Sequence, residues 1–316
     1  MLAFLFPGQG AQKVGMGQTL AAAQPIARET FETADRVLGT PLSKLCWEGP
    51  AEELTKSVHA QPALLTHSVA AWRLLDHAGL KPAYVAGHSL GEYSACVAAE
   101  ALSFEDALRL TRRRGELMYE AGLARPGTMA AILGLDRAQV EVVCDEASSA
   151  GIVRTANFNA PGQVVVSGEI AAVERACELA RERGARRAIR LQVSGAFHSP
   201  LMGSAATGLA EALAGVTLRD ARCPILANVS GTPVRRADDI RAALEAQLLG
   251  AVQWEDTMKA LVVSGATCVE LGTGTVLRGL LRTLAKDAPS FNVDGPEDLA
   301  TTLAALGVAV PQREDA

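Results

Sequence analysis

The sequence predicts an α/β fold: a parallel-sheet, hydrolase-like large domain with an inserted ferredoxin-like small lobe. Three observations carry that expectation. Near-continuous apolar runs alternate with helical segments in both halves of the chain. The middle of the chain instead reads β-α-β-β-α-β. Between one apolar run and a run of small, helix-forming residues stands Gly87-His88-Ser89-Leu90-Gly91, a G-x-S-x-G. In that setting a serine hydroxyl is lifted out of a strand-to-helix turn as a nucleophile.

Taken in order, "LAFLF" (2–6), "AYVAG" (83–87), "PILAN" (224–228) and "TCVELG" (267–272) read as strands. Continuous apolar character is what a parallel strand covered on both faces needs. Helical patterns lie at 63–78, 104–121 and 275–285, and strands alternating with helices argue for a parallel sheet. Within the middle, 128–135 reads as a strand and 136–149 as a helix opened by Asp136. Two short strands at 152–156 and 163–167 are separated by "NFNAPG"; a helix at 169–183 ends at Gly184, and 186–193 makes the last strand. That order is the split βαβ, ferredoxin-like pattern. The expected division is a large α/β domain from 1–124 and 197–316, with the small lobe at 125–196. The cleft between lobes is the expected substrate site.

Composition narrows the function classes. The chain has 316 residues, 49% hydrophobic and 21% charged, which suits a globular enzyme. Aromatics make up only 4%, so Ala, Leu and Val must build the core. A net charge of −5 gives no support to nucleic-acid binding. The cysteines at 46, 96, 144, 177, 223 and 268 form no C-x-x-C pair, so neither a metal site nor a redox dithiol is suggested. They read as reduced core residues of a cytoplasmic protein. The opening "MLAFLF" has no basic n-region and reads as a buried strand rather than a signal peptide. No apolar run reaches the length of a membrane span. No internal repeat is present, and the polar end "VPQREDA" (310–316) is expected to fray.

A serine hydroxyl needs a base within hydrogen-bond reach. Five histidines are available. His59, His67 and His77 lie in or beside one amphipathic helical stretch and read as surface or packing residues, and His88 reads as structural within the turn. His198, in "SGAFHSPLM" at the proposed cleft, is the best candidate, with a packing role as the alternative. No acidic residue stands out at a strand end between Ser89 and His198, which weakens a hydrolase triad in the order Ser…Asp…His. In "LTRRRGELM" (110–118), three consecutive arginines ordinarily form a solvated face. Arg114, followed by Gly115, Leu117 and Met118, is the one that could face inward. A guanidinium fork there would match a substrate carboxylate.

With these residues in hand the chain resembles the malonyl-CoA:acyl carrier protein transacylase family, whose relatives are the acyltransferase domains of polyketide synthases. The resemblance rests on "FPGQGAQ" (6–12), "QPALLTHSVA" (61–70), "GHSLGEYSA" (87–95), "RRRGELM" (112–118), "NAPGQVVVSG" (159–168), "GAFHSPLM" (195–202) and "ELGTGTVLRGL" (270–280). It implies that Ser89 takes the acyl group, that His198 is its base and that Arg114 holds the malonyl carboxylate. The main-chain N–H groups of Gln9 and Leu90 would form the oxyanion hole, with flanking glycines allowing close backbone approach. Gln247, in "QLLGAVQW" (247–254), would orient the histidine through its carbonyl, which accounts for the missing acid. Gln61 and Asn159 match positions near the cleft, and Phe197 resembles the malonyl-selective variant.

The implied activity is transfer of malonyl from malonyl-CoA to the phosphopantetheine thiol of an acyl carrier protein, for fatty acid biosynthesis. It needs no metal and no cofactor of the enzyme's own. A cytoplasmic monomer is expected, with no membrane or nucleic-acid partner. An acidic carrier could meet the arginines at 181–190, or those at 235, 236 and 241, although solvated faces explain most of these. Two rival readings are a hydrolase, with water as acceptor, and a non-catalytic module that docks the carrier.

Overall fold

The computed structural model describes residues 1–308, so the polar end at 310–316 lies outside the described residues. Two sheets organise the chain. The first has six strands: β1 (Leu2–Phe6), β2 (Tyr84–Gly87), β7 (Ile225–Leu226), β8 (Pro233–Val234), β9 (Thr267–Leu271) and β10 (Ser290–Val293). Its order is β10-β9-β1-β2-β7-β8, and every pairing is parallel except β7 with β8.

β1 sits at the centre, and Ala3 to Phe6 are at most 1% exposed. Alternate side chains of a strand point to opposite faces. Phe4 and Phe6 join one hydrophobic cluster, while Ala3 and Leu5 join another on the other face, with Trp254 and Leu281. Burial on both faces is why this strand reads as an unbroken apolar run.

The second sheet is β3 (Thr128–Leu133), β4 (Val153–Ala160), β5 (Gln163–Gly168) and β6 (Arg187–Arg190). Its order is β4-β5-β3-β6 and its pairs are antiparallel. Helices Arg137–Ala147 and Ile170–Glu182 cover it with a separate core that includes Val140, Val143, Val173 and Ala176. Asp136 caps the first of these helices, accepting from Gln139 N–H, with the Gln139 side chain closing a capping box. β4 of the second sheet joins the segment between helices Ala237–Gln247 and Trp254–Val263, where Phe158 N–H donates to Val252 O and Val252 N–H donates to Ala156 O.

Several sequence-based elements need adjustment; the last strand of the middle segment, for one, shortens from 186–193 to Arg187–Arg190. β10 and β8 went unseen, because β10 is a short, half-buried edge strand and β8 has two residues. The strand at 224–228 shrinks to Ile225–Leu226. "NFNAPG" is mostly strand, since β4 continues to Ala160 through two bulges and the turn is left to Pro161 and Gly162.

The helix expected from 63 begins at Ser57 and carries Pro62 inside it. Proline supplies no N–H to the carbonyl four residues back. That carbonyl, Val58 O, instead accepts from Arg112 Nη1 at 3.3 Å. The arginine comes from helix Phe104–Ala124, which packs closely on this one at Gly115. A Cβ there would lie 2.5 Å from Ser57 O. Among the described residues, no helix is long and apolar enough to cross a membrane.

Candidate active site

The turn that carries Ser89 follows β2 directly. Ser89 has φ +50°, a left-handed conformation that L-residues rarely adopt, and helix Gly91–Ala98 starts two residues later. The glycines of the motif are there for space. A Cβ on Gly87 would fall 1.9 Å from Gly91 O, and one on Gly91 would fall 2.1 Å from Phe6 O. Strain of this kind persists only when the surroundings hold it. Here Ser89 N–H donates to Asn228 Oδ1 at 2.7 Å, Asn228 Nδ2 donates to Gly87 O at 2.7 Å, and Gln247 Nε2 donates to Ser89 O at 2.9 Å.

His198, also at positive φ (+56°), is buried with Nε2 2.8 Å from Ser89 Oγ. Its Nδ1 lies 3.0 Å from Gln247 O and 3.2 Å from Gly250 O. Carbonyl oxygens only accept, so Nδ1 carries the proton and Nε2 presents its lone pair to the serine hydroxyl. Burial, and then the nearby Arg114 charge, push the imidazole down to about 3. It is therefore a neutral base at physiological pH.

Arg114 is 1% exposed. Nη1 donates to Gln61 Oε1 at 2.9 Å, while Nη2 donates to Gln247 Oε1 at 2.8 Å and to Ser89 Oγ at 3.1 Å. Among the described residues no carboxylate comes within ion-pair distance of it, and its Nε has no acceptor. A buried cation held only by the neutral oxygens of two amides and a hydroxyl is suited to receive an anion from outside. Its two neighbours in sequence differ from it. Arg113 is half-exposed and paired with Glu116, whereas Arg112 is three-quarters buried between Glu116, Val58 O and His59. Arg112 is thus not part of a solvated face.

The loop after β1 approaches the turn closely, since a Cβ on Gly8 would lie 2.5 Å from His88 O. Among the described residues neither Gln9 N–H nor Leu90 N–H has an acceptor. The Gln9 side chain donates to Ser57 Oγ at 3.0 Å and accepts from Gln61 Nε2 at 3.4 Å.

Ser89, His198 and Arg114 open onto a cavity of about 300 Å³ with Gln9, His88, Met118, Met129 and Phe197 on its walls. Gln61 and Gln247 stand behind Arg114 rather than on the wall. Leu90 is fully buried, leaving its N–H as the group it can offer. Asn159 reaches the cavity only through His88, whose Nε2 lies 2.8 Å from Asn159 Oδ1. His67 is fully buried against Asp294 O, and His77 is exposed. Among the described residues, no group of three His, Cys, Asp or Glu side chains is gathered as a metal site.

Two residues of the site were not picked out from the sequence. Asn228 stands at the end of β7, beside the nucleophile strand, where the strand ends of a parallel sheet collect functional groups. Glu92, one residue into a helix that is otherwise small and apolar, is 2% exposed and contacts Asn228 and Gln247. A charged residue inside a wholly buried helix was the signal available for it.

Residues 3–293 match the family model described as an acyl transferase domain. The chain is 46% identical over 307 residues to the malonyl CoA-acyl carrier protein transacylase of Bacillus subtilis (strain 168), spanning 96% of this chain and 97% of that protein. The solved transacylase of the same description from Coxiella burnetii superposes with a TM-score of 0.93 at 39% identity, covering 96% and 97% of the two chains. A malonyl-transacylase solved in complex with its type II PKS acyl-carrier protein superposes with a TM-score of 0.92 at 41% identity, covering 96% and 99%.

Proposed function

The chain belongs to the malonyl CoA-acyl carrier protein transacylase family of acyl transferases, and from that premise we propose that it moves malonyl from malonyl-CoA to the phosphopantetheine thiol of an acyl carrier protein, supplying fatty acid biosynthesis. The observation that carries the choice of acyl group is Arg114. It is a buried guanidinium without a carboxylate partner among the described residues, 3.1 Å from the hydroxyl that would take the acyl chain.

The chemistry follows from the proton positions. His198 Nε2 takes the Ser89 proton as Oγ attacks the thioester carbon. The N–H groups of Gln9 and Leu90 are the donors for the tetrahedral oxyanion. The imidazolium, steadied by the carbonyls of Gln247 and Gly250, then protonates the departing CoA thiolate. A malonyl ester on Ser89 remains, its carboxylate on Arg114. In the second half the carrier's thiol gives its proton to His198 and attacks the ester, and Ser89 leaves with that proton. The two amides bracketing Arg114 hold its fork before substrate arrives, which lowers the ordering cost of binding.

In this reading the protein acts in the cytoplasm as a monomer, its six cysteines buried and unpaired. Its two lobes are residues 1–124 with 197–316, and 125–196. The carrier docks beside β6, because Arg186 and Arg187 are exposed there with no side-chain hydrogen bond or ion pair among the described residues, and the chain runs on into cavity-lining Leu191–Ser194. The alternative patch offers fewer free arginines: Arg235 is bonded to Ala221 O and Arg222 O, and Arg241 to Leu213 O and Val216 O, which leaves Arg236 exposed there.

The test is to incubate the protein with malonyl-CoA, with and without a holo carrier, while following malonyl-carrier and free malonate. Carrier-dependent transfer with little malonate is expected. Rapid malonate release regardless of carrier would make the protein a hydrolase.

A further inference from the structure

We infer that Glu92 is a positioning residue for acyl transfer, its buried carboxylate aligning nucleophile, base and arginine through Asn228 and Gln247. The inference rests on the acyl-transfer reading of the Ser89 site. Glu92 Oε1 accepts from Asn228 N–H at 3.0 Å, and Oε2 accepts from Gln247 Nε2 at 2.5 Å. Those two side chains grip the strained Ser89 peptide from both ends, at its N–H and at its carbonyl. Gln247 does more. Its Oε1 accepts from Arg114, and its main-chain oxygen accepts from His198 Nδ1. One carboxylate therefore braces nucleophile, base and arginine without touching substrate.

The hydrogen-bond polarity makes the charge state matter. Both partners of Glu92 are donors, so an ionised carboxylate, which only accepts, satisfies them both. A protonated one turns an O–H toward an N–H and loses a contact. Gln247 cannot turn its amide to compensate, because doing so would drop both Ser89 O and Arg114. The titratable groups facing Glu92 are Arg114, Tyr93 and, one turn along its helix, Cys96. Burial pushes the carboxyl up to about 7 against the opposing pull of Gln247, Asn228 N–H and Arg114. His198, held near 3, does not titrate in that range.

The experiment is rapid-quench mass spectrometry of malonyl-Ser89 formation from malonyl-CoA between about pH 5.5 and 8.5, on wild type and Glu92→Gln, with melting temperatures alongside. Wild-type acylation should fall as pH drops through about 7. Glu92→Gln should fold, acylate roughly 10–100-fold more slowly at high pH, as when an outer partner of a site is removed, and show no such inflection. A Glu92→Gln variant with the wild-type rate overturns the inference. So does a slow variant that keeps the inflection, since Glu92 would then be structural only. A flat wild-type profile overturns it even if the variant fails to fold. Absence of malonyl-Ser89 in wild type at every pH instead overturns the acyl-transfer reading itself, an outcome distinct from the other three.

Discussion

Arg114 and Ser89 share a hydrogen bond: Nη2 of the buried guanidinium donates to Oγ across 3.1 Å. The positive charge therefore lies against Ser89 Oγ and adds to burial, the larger cause, in depressing the basicity of His198 beside it. A substrate carboxylate that pairs with Arg114 relieves that depression, whereas an acyl group without one leaves the cation unpaired. In the proposed reaction, recognition of malonyl and the strength of the base would be coupled through one side chain.

Arg114→Ala should accordingly separate the two acyl donors. A charge-assisted contact of this type contributes about 2–3 kcal/mol, and more when its loss leaves a carboxylate unpaired in a dry cavity. Malonyl loading should fall by about two orders of magnitude or more, while acetyl loading from acetyl-CoA holds or rises. Arg114→Lys should recover little, because an ammonium cannot reproduce the fork. Arg113→Ala, removing a half-exposed neighbour, should load normally. Steady-state kinetics with both donors checks this, and an equal loss of malonyl and acetyl transfer would show that Arg114 does not read the carboxylate.

Ser89→Ala should form no covalent malonyl-enzyme while unfolding at nearly the wild-type temperature. The hydroxyl opens onto the cavity, and the turn is held through backbone atoms of residue 89, which alanine retains. Intact-mass spectrometry after malonyl-CoA exposure decides it. Normal malonylation of the variant would move the nucleophile elsewhere.

His198→Ala should slow loading by roughly two to four orders of magnitude, the range for a positioned general base. It should also alter stability with pH in a definite direction. His198 titrates near 3 when folded against 6.5 when unfolded. Between those values the unfolded chain binds a proton that the folded chain refuses, so this residue costs stability as pH falls. His67 and His88, lowered mainly by burial, act the same way; Glu92 and Glu270, raised to about 7, act oppositely between about 7 and 4.5. The difference between wild type and His198→Ala isolates one residue. Denaturant unfolding should find wild type losing up to about 2 kcal/mol relative to the variant between pH 7 and pH 5. A difference independent of pH would mean that His198 is not a buried neutral imidazole.

Gly91→Ala and Gly279→Ala should have opposite effects. At Gly91 the new methyl would lie 2.1 Å from Phe6 O, a backbone atom of the central strand, so the nucleophile turn must move. Overpacking of this kind costs about 1–3 kcal/mol or more, and loading should drop steeply with it. At Gly279, within helix Val276–Leu284, the methyl meets nothing within 4 Å. Alanine there should add about 0.5–1 kcal/mol through helix propensity and leave loading unchanged. Thermal unfolding and loading assays on the pair check both. A stable, fully active Gly91→Ala would mean the close approach is dispensable.

Legibility in the sequence tracked burial. β1 and β2 were readable because central parallel strands are covered on both faces, whereas the edge strand β10, half-buried with a polar residue inside it, left no continuous apolar run. Pro62 concealed the true start of its helix, since nothing local shows that Arg112, fifty residues later, takes the carbonyl the proline leaves free. Of the three adjacent arginines, flanking residues singled out Arg114 as a candidate, but only packing at Gly115 brings it against Gln61 and Ser89.

What the sequence by itself determined is local: the order of the central strands, an α/β plan interrupted by β-α-β-β-α-β, and a serine at a turn whose flanking glycines leave room for no side chain. These follow from short-range sterics and from periodic burial, both of which are written in neighbouring residues. What only the tertiary structure decided is how the site is held. His198 is oriented by two main-chain carbonyls; the family resemblance implied that of Gln247, but every residue carries a carbonyl, so no side-chain pattern marks that of Gly250. Glu92 meets Asn228 and Gln247 across 136 and 155 residues of chain. A hydrogen bond needs its atoms within about 3 Å, and only the packing of the sheet brings such distant residues that close.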